Sequence, residues 1–501
     1  MRSEMIGARS LDGETSAGRR GLAWLAMLAG LILAGCTSLM NPGAEGPTAA
    51  VIGGAVRSPV EDKASAEENA RIVAAYGGIY HNDKLETTLV PIVSRIVASS
   101  DKPDQPYKIT ILNAPAVNAF ALPGGYLYVT RGLLARANDS SEVAAVLAHE
   151  MAHITANHAM QRQEKARNAV LVSRVMTDVL DNQDAGQLAL ASSQRTLAAF
   201  SRQQELEADA IGIKTIGKAG YDPFAAARFL SAMGRFSAYR TAATAILDKR
   251  PDFLASHPST PERIDFAIKA ARQFGAPGIG EVDREGYLAG VDGVIFGDDP
   301  SQGFVRDRTF VHPSLGVSFT VPEGFVIDNT SDAVLATGTD GTALRFDAVG
   351  VAAGTPLSDY LASGWVNGLA EGSIKTFTVN GLPAASASAN AKGWIFRIAV
   401  VQATEGSAYR FIYANQTDTP EFEKAAAATT QSFRKLPPSE AASLRPLRIH
   451  VATVGTGDSV EAFARRMRGV DRPLELFRVL NDLEPDARLV PGSKVKIVDD
   501  R

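Results

Sequence analysis

From about Ser140 to Phe274 apolar residues return every three or four positions, the spacing of helices that bury one stripe. Breaks fall near Asp181–Ala185 and Gly220–Pro223. A helical pattern also begins near Ala64, and between the two lie runs that alternate like half-buried strands, Tyr107–Leu112 and Tyr126–Thr130. From Phe310 the texture changes to short alternating runs bounded by turn residues: Leu315–Val321, Ala343–Phe346, Trp394–Val401 and Arg410–Ala414. This pattern predicts an α+β multidomain chain. Residues 64–275 form a mainly helical domain with a small sheet, and the Gly/Pro/Asp-rich residues 276–303 a linker. Residues 304–436 form a strand-rich α+β domain. A Pro437-Pro438 linker leads to a small βααβ module over residues 447–499.

The N-terminus reads differently. Arg19-Arg20 precede an apolar run, Gly21 to Gly35, that is too short to span a bilayer comfortably. Residues 1–35 are therefore expected to be a secretory signal. Leu33-Ala34-Gly35-Cys36 resembles a bacterial lipobox, which makes Cys36 the lipidation site and residues 36–63 a Gly/Pro/Ala-rich tether. Thr37, where an aspartate would resemble an inner-membrane retention signal, favours the outer membrane, with the chain facing the periplasm. Cys36 is the only cysteine, so no internal disulfide forms. With 45% apolar and 21% charged residues the chain is not mostly disordered, and a net charge of −4 argues against a nucleic-acid partner.

The residues that carry chemistry are His149-Glu150-Met151-Ala152-His153, in a helical run that opens after Asp139-Ser140-Ser141-Glu142. At roughly 100° per residue the two histidines stand ~40° apart and Glu150 ~60° beyond His153, so all three point into one cleft. Two imidazoles one turn apart can bind one Zn²⁺, and the carboxylate between them can take a proton from an attacking water. On an Ala/Val/Leu-rich helix such polar groups need a reason. His158 lies nine residues past His149, about 180° around a continuous helix, and is assigned a supporting role. A metzincin would carry glycine at Ala156 and a third histidine at Ala159, so that pattern is excluded. Downstream, Glu205 and Asp209 share a helix face at i, i+4. The first can ligate zinc while the second holds a ligating histidine through its other ring nitrogen; Glu207, on the opposite side, is a fallback ligand. Taken alone, this acidic stretch also fits a solvated helix face.

Together, His149–His153, Glu205-x-x-Ala-Asp209, Asn118–Gly132 and Ser256–Ile264 resemble peptidase family M48, gluzincins that include bacterial periplasmic proteases. The resemblance spans roughly residues 65 to 275. It implies one zinc per chain on His149, His153 and Glu205, with Glu150 as general base and Asp209 as support. It further implies that His257 approaches the zinc, where it either closes the remaining position as a latch or polarises the oxyanion. The run Gly124, Gly125, Tyr126 opens a strand, Gly124 to Val129, read as a candidate edge for an extended peptide. At the C-terminus, Ile449–Val460, Leu480-Asn481-Asp482-Leu483 and Leu489–Gly492 resemble a LysM module, which implies contact with peptidoglycan or, if degenerate, with protein. The expected activity is zinc-dependent endoproteolysis of misfolded or misassembled envelope proteins. The alternative is a zinc-binding chaperone or assembly factor for outer-membrane proteins, its proteolysis latent. Expected partners are protein substrates, the membrane through the lipid, and peptidoglycan or the envelope assembly machinery.

Overall fold

The computed structural model describes residues 51–52, 63–122, 124–168, 183–243, 253, 257–330 and 333–500. The expected signal segment and Cys36 lie outside the described residues. Of the expected tether, Val51–Ile52 form a short strand, β1, paired antiparallel to residues 107–108.

Helices α1 (Lys63–Ala75) and α2 (Asp83–Ser99) lead into strands β2 (Tyr107–Leu112), β3 (Ala119–Leu122) and β4 (Tyr126–Thr130). The sheet order is β1-β2-β4-β3, with β4 parallel to β2 and antiparallel to β3. This corrects the edge reading: among the described strands β4 is interior and buried along its length, and the edges are β1 and β3. The turn between them needs Gly124 and Gly125, both at positive φ (94° and 93°). A Cβ on Gly125 would sit 2.0 Å from the Pro106 carbonyl oxygen. Helix α3 (Arg131–Arg136) follows at once, its first turn capped by Thr130 Oγ1, which accepts from the Leu133 N–H at 3.2 Å.

Helix α4 (Ser140–Thr155) begins at Asp139, whose carboxylate accepts from Glu142 N–H at 2.8 Å. Asn157, at φ 56°, then breaks the path, and a new helix, α5, covers 158–168. Helices α6 (Gln183–Lys218), α7 (Ala225–Ala243) and α8 (Pro261–Ala271) complete the helical layer around α4. Gly212 lets α6 cross α4 at van der Waals distance, since a Cβ there would lie 3.1 Å from His149 N.

The stretch expected to be a linker, residues 276–303, is instead part of this body. It carries α9 (Arg284–Val291) and β5 (Ile295–Phe296), and buries Tyr287, Leu288, Val291 and Val294 in the main core. Tyr287 Oη donates to the Leu134 carbonyl at 2.6 Å, and Ser140 Oγ donates to Asp283 Oδ2 at 2.7 Å. A Gly/Asp-rich composition marks turns, but the apolar residues between the turns had a core to enter.

The following domain is strand-rich. Strands β6 (Phe304–Arg306), β7 (Thr309–His312) and β8 (Val317–Thr320) form a small sheet with a later strand, Arg434–Lys435. A second, antiparallel sheet has seven strands, Val326–Asn329, Val334–Thr337, Ala343–Gly350, Lys375–Val379, Leu382–Ala391, Trp394–Thr404 and Ser407–Asn415. Phe319, Phe346, Phe411 and Phe433 pack between the sheets.

At the C-terminus, strand Leu447–Thr453, helices Val460–Ala464 and Pro473–Leu480, and strand Lys494–Asp499 follow in β-α-α-β order, the two strands antiparallel. This module does not stand apart. Its buried Ile449, Phe463, Phe477 and Val498 belong to the same core as α4, and its first strand pairs with β5. Lys496, fully buried, donates to the carbonyls of Ala135, Arg136 and Ala137 at 3.0, 2.9 and 2.8 Å. Those are the open carbonyls at the end of α3, where a cation is favoured. Arg235 on α7 pairs with Asp482, and Arg472 stacks on Tyr239 at 4.1 Å.

Near that junction, burial and then the neighbouring Asp139 carboxylate push the Glu142 carboxyl up to about 8, against the pull of the Asn138 N–H and Arg228. With a native pKa above the ordinary 4.5, its contribution to stability is full below that value and is lost as pH rises through 8. Between pH 5 and 8 the urea midpoint of the parent is therefore expected to fall relative to Glu142→Gln. Parallel midpoints across that range would refute the assignment.

Candidate metal centre

Helix α4 brings His149 and Glu150 inward as buried residues and His153 half-buried at the mouth. Helix α6 supplies Glu205 and Asp209, both buried, and the approach to α8 supplies His257. Ligand atoms of His149, His153, Glu205 and His257 all lie within 4.8 Å of one another. His149 Nε2 stands 3.1 Å from His153 Nε2, and His257 Nδ1 stands 2.9 Å from Glu205 Oε2.

A ring of partners orients these donors. His149 Nδ1 lies 3.0 Å from Asp209 Oδ1, which leaves Nε2 facing the cluster. Arg263 grips Asp209 with two hydrogen bonds of 2.8 Å and reaches Glu205 Oε2 at 3.1 Å. Sequence reasoning assigned Arg263 no role, although it lies within the Ser256–Ile264 segment. On the other side, His158 is fully buried, its Nδ1 2.9 Å from His153 Nδ1 and its Nε2 3.4 Å from Glu207 Oε2. The 180° argument for His158 assumed one continuous helix; the turn at Asn157 returns it to His153. Glu207 is exposed and belongs to His158 rather than to the donor group.

Charge is balanced tightly here. Burial opposes a charge on His149, but the Asp209 and Glu205 carboxylates outweigh it and lift the imidazole to about 9, so Nε2 gives up a proton when it binds a metal. Burial, with His149 and His257 alongside, keeps His153 neutral to about 2, its lone pair available. Burial raises the Glu205 carboxyl, yet the bonds to His149 and His257 hold it well below the usual range. Burial pushes Glu150 up, and its Oε1 has no hydrogen-bond partner. Three imidazoles and one carboxylate, buried and convergent, are a donor set that suits zinc.

The group opens into a cleft of ≈740 Å³ whose walls include Tyr76, Phe120, Gly124, Glu150, His153 and His257. Of the three residues proposed from sequence for substrate, Gly124 lines this cleft. Gly125 is buried against Pro106, and Tyr126 packs with Leu112 and Tyr128 in the same cluster as Tyr76 and Phe120 without itself lining the cleft. Tertiary pairing decided this, because β4 is interior.

An HExxH helix with a glutamate from a second helix defines the metallopeptidases of the gluzincin type. Residues 83–271 match the profile of Peptidase family M48, so this domain is similar to the zinc metallopeptidases of that family. The chain is 29% identical over 231 residues to the beta-barrel assembly-enhancing protease of Yersinia pestis, covering 44% of this chain and 46% of that one. The protein of the same name from Escherichia coli (strain K12) is 28% identical over 218 residues, 42% and 43% of the two chains. The mitochondrial metalloendopeptidase OMA1 of Schizosaccharomyces pombe is 33% identical over 186 residues, 37% and 52%. The chain thus spans less than half the length of the bacterial relatives it matches. Among the described residues no helix is long and apolar enough to cross a membrane.

Proposed function

We propose that this chain is a zinc-dependent endopeptidase of the bacterial cell envelope, lipid-anchored through Cys36 and facing the periplasm. The observation that carries it is the convergence of His149, His153, Glu205 and His257 beside a buried carboxylate oxygen of Glu150 that accepts no hydrogen bond, at the floor of an open cleft. Zinc held by His149, His153 and Glu205 would supply Lewis-acid polarisation of the peptide carbonyl and of the attacking water. Glu150 Oε1 takes the proton from that water and delivers it to the leaving amine. Asp209, itself held by Arg263, keeps His149 in the tautomer that presents Nε2. The free edge of β3 offers backbone groups to an extended peptide. The bacterial relatives are named for enhancing beta-barrel assembly, which supports β-barrel proteins or their assembly machinery as substrates or partners of this chain. The β-α-α-β order supports the LysM-like reading of residues 447–499, with peptidoglycan or protein as its contact.

The full mature chain is expected to hold one zinc and to cleave casein, with chelation abolishing cleavage and zinc restoring it. A chain without zinc would sink the proposal.

His257 favours a second reading, a chaperone-like or assembly role with proteolysis held latent. Its ring is a fourth donor at the cluster, 3.2 Å from His149 and 3.5 Å from Glu150 Oε1. As a latch, it blocks the position a substrate carbonyl must take, so His257→Ala is expected to raise casein cleavage several-fold, equivalent to about 1 kcal/mol. A fall in activity would assign it to the oxyanion instead.

A further inference from the structure

The walls of the cleft point to a substrate class, an inference that rests on the peptidase reading above. One wall is aromatic. Tyr76 and Phe120 have ring centroids 5.4 Å apart, Phe120 stacks on Tyr128 at 4.9 Å, and Asn118 fixes Tyr76 by donating to its hydroxyl at 3.0 Å. The mouth is basic. Lys102 stands on the loop after α2 and Arg162 on α5, and both line the cleft. Glu150, at the floor, is the one carboxylate among the lining residues, and it is buried within the reacting group.

Neighbouring lysines show the contrast. Lys214 and Lys218 both lie close to Asp101, at 3.2 and 3.6 Å. Lys102 instead reaches the Thr155 carbonyl at 3.4 Å, which occupies one of its three donors. Among the described residues, no carboxylate lies within ion-pair distance of Lys102 or Arg162. Two cations at the mouth of a cleft with apolar walls, neither in an ion pair with a carboxylate of the described residues, create a field that favours negative charge on whatever enters.

We infer that the cleft selects extended peptides that carry an acidic side chain near the scissile bond, placed to meet Lys102 and Arg162. Because both cations are partly in water, the preference is modest and salt-dependent.

The test is binding, measured without turnover. Zinc-loaded full-length Glu150→Gln is titrated by fluorescence anisotropy with three extended peptides that differ only in Glu, Gln or Lys at one position flanking an apolar residue. At low ionic strength the Glu peptide is expected to bind about tenfold more tightly than the Lys peptide, with Gln between them and the spread shrinking as salt is added. Lys102→Glu with Arg162→Glu should reverse the order, and Lys102→Gln with Arg162→Gln should flatten it. Equal affinities for the three peptides, or an order that survives both double variants, would overturn the inference. Casein cleavage by the parent chain is read separately. Cleavage without charge preference fails this inference alone, whereas charge preference without cleavage fails the peptidase reading and leaves the binding preference standing.

Discussion

Glu150→Gln is expected to keep its zinc and lose casein cleavage by about 10³-fold, in the range that positioned proton transfer supplies. The substitution preserves shape and removes only the ability to take a proton. The donors His149, His153, Glu205 and His257 all remain, so the metal should be held as in the parent. Glu150 is suited to the role because it is buried, adjacent to the cluster and accepts no hydrogen bond on Oε1. A carboxylate with a structural task would have its oxygens engaged, as those of Asp209 are by Arg263. Metal analysis beside a cleavage assay decides it. Activity within tenfold of the parent would remove Glu150 from the mechanism, and lost zinc would make it a ligand.

Lys496→Met is expected to destabilise the whole peptidase body by about 3 kcal/mol, because three buried carbonyls lose their shared donor at the end of α3. Methionine fits the space left by the lysine stem but offers no hydrogen. The lysine belongs to the C-terminal module and the carbonyls to the segment between β4 and α4, so the loss is felt across the junction. Urea unfolding followed by far-ultraviolet circular dichroism, to which the helices of the peptidase body contribute, and, in parallel, by zinc release would show both transitions moving together. A shift under 1 kcal/mol, or zinc release unmoved while the C-terminal module melts early, would show that the module is an independent appendage.

Much of the catalytic helix could be read directly. The i, i+4 spacing of His149 and His153 with Glu150 between them is a property of helical geometry, and Asp139 caps the helix locally. Glu205 and Asp209 were legible for the same reason. What they face was not, because a helix face does not name its neighbour. The fold class was likewise visible in periodicity, since periods of 3.6 and 2 separate the helical body from the strand-rich domain.

Three features escaped. Arg263 lies 54 residues from Asp209 in sequence, and nothing local links a helix-start arginine to that carboxylate. His158 looked remote until one residue at positive φ, Asn157, turned the chain back. Residues 276–303 looked like a linker from their turn-forming residues, but Tyr287, Leu288 and Val291 found a shared core.

By itself, then, the sequence determined the candidate donors and the candidate base, because their spacing is set by backbone geometry within single helices. Tertiary structure alone decided which strand keeps a free edge, what surrounds the donors, and that the C-terminal module shares the peptidase core. Those outcomes rest on strand order and on packing between segments hundreds of residues apart, such as Lys496 with Ala135, and such contacts leave no periodic trace in the chain.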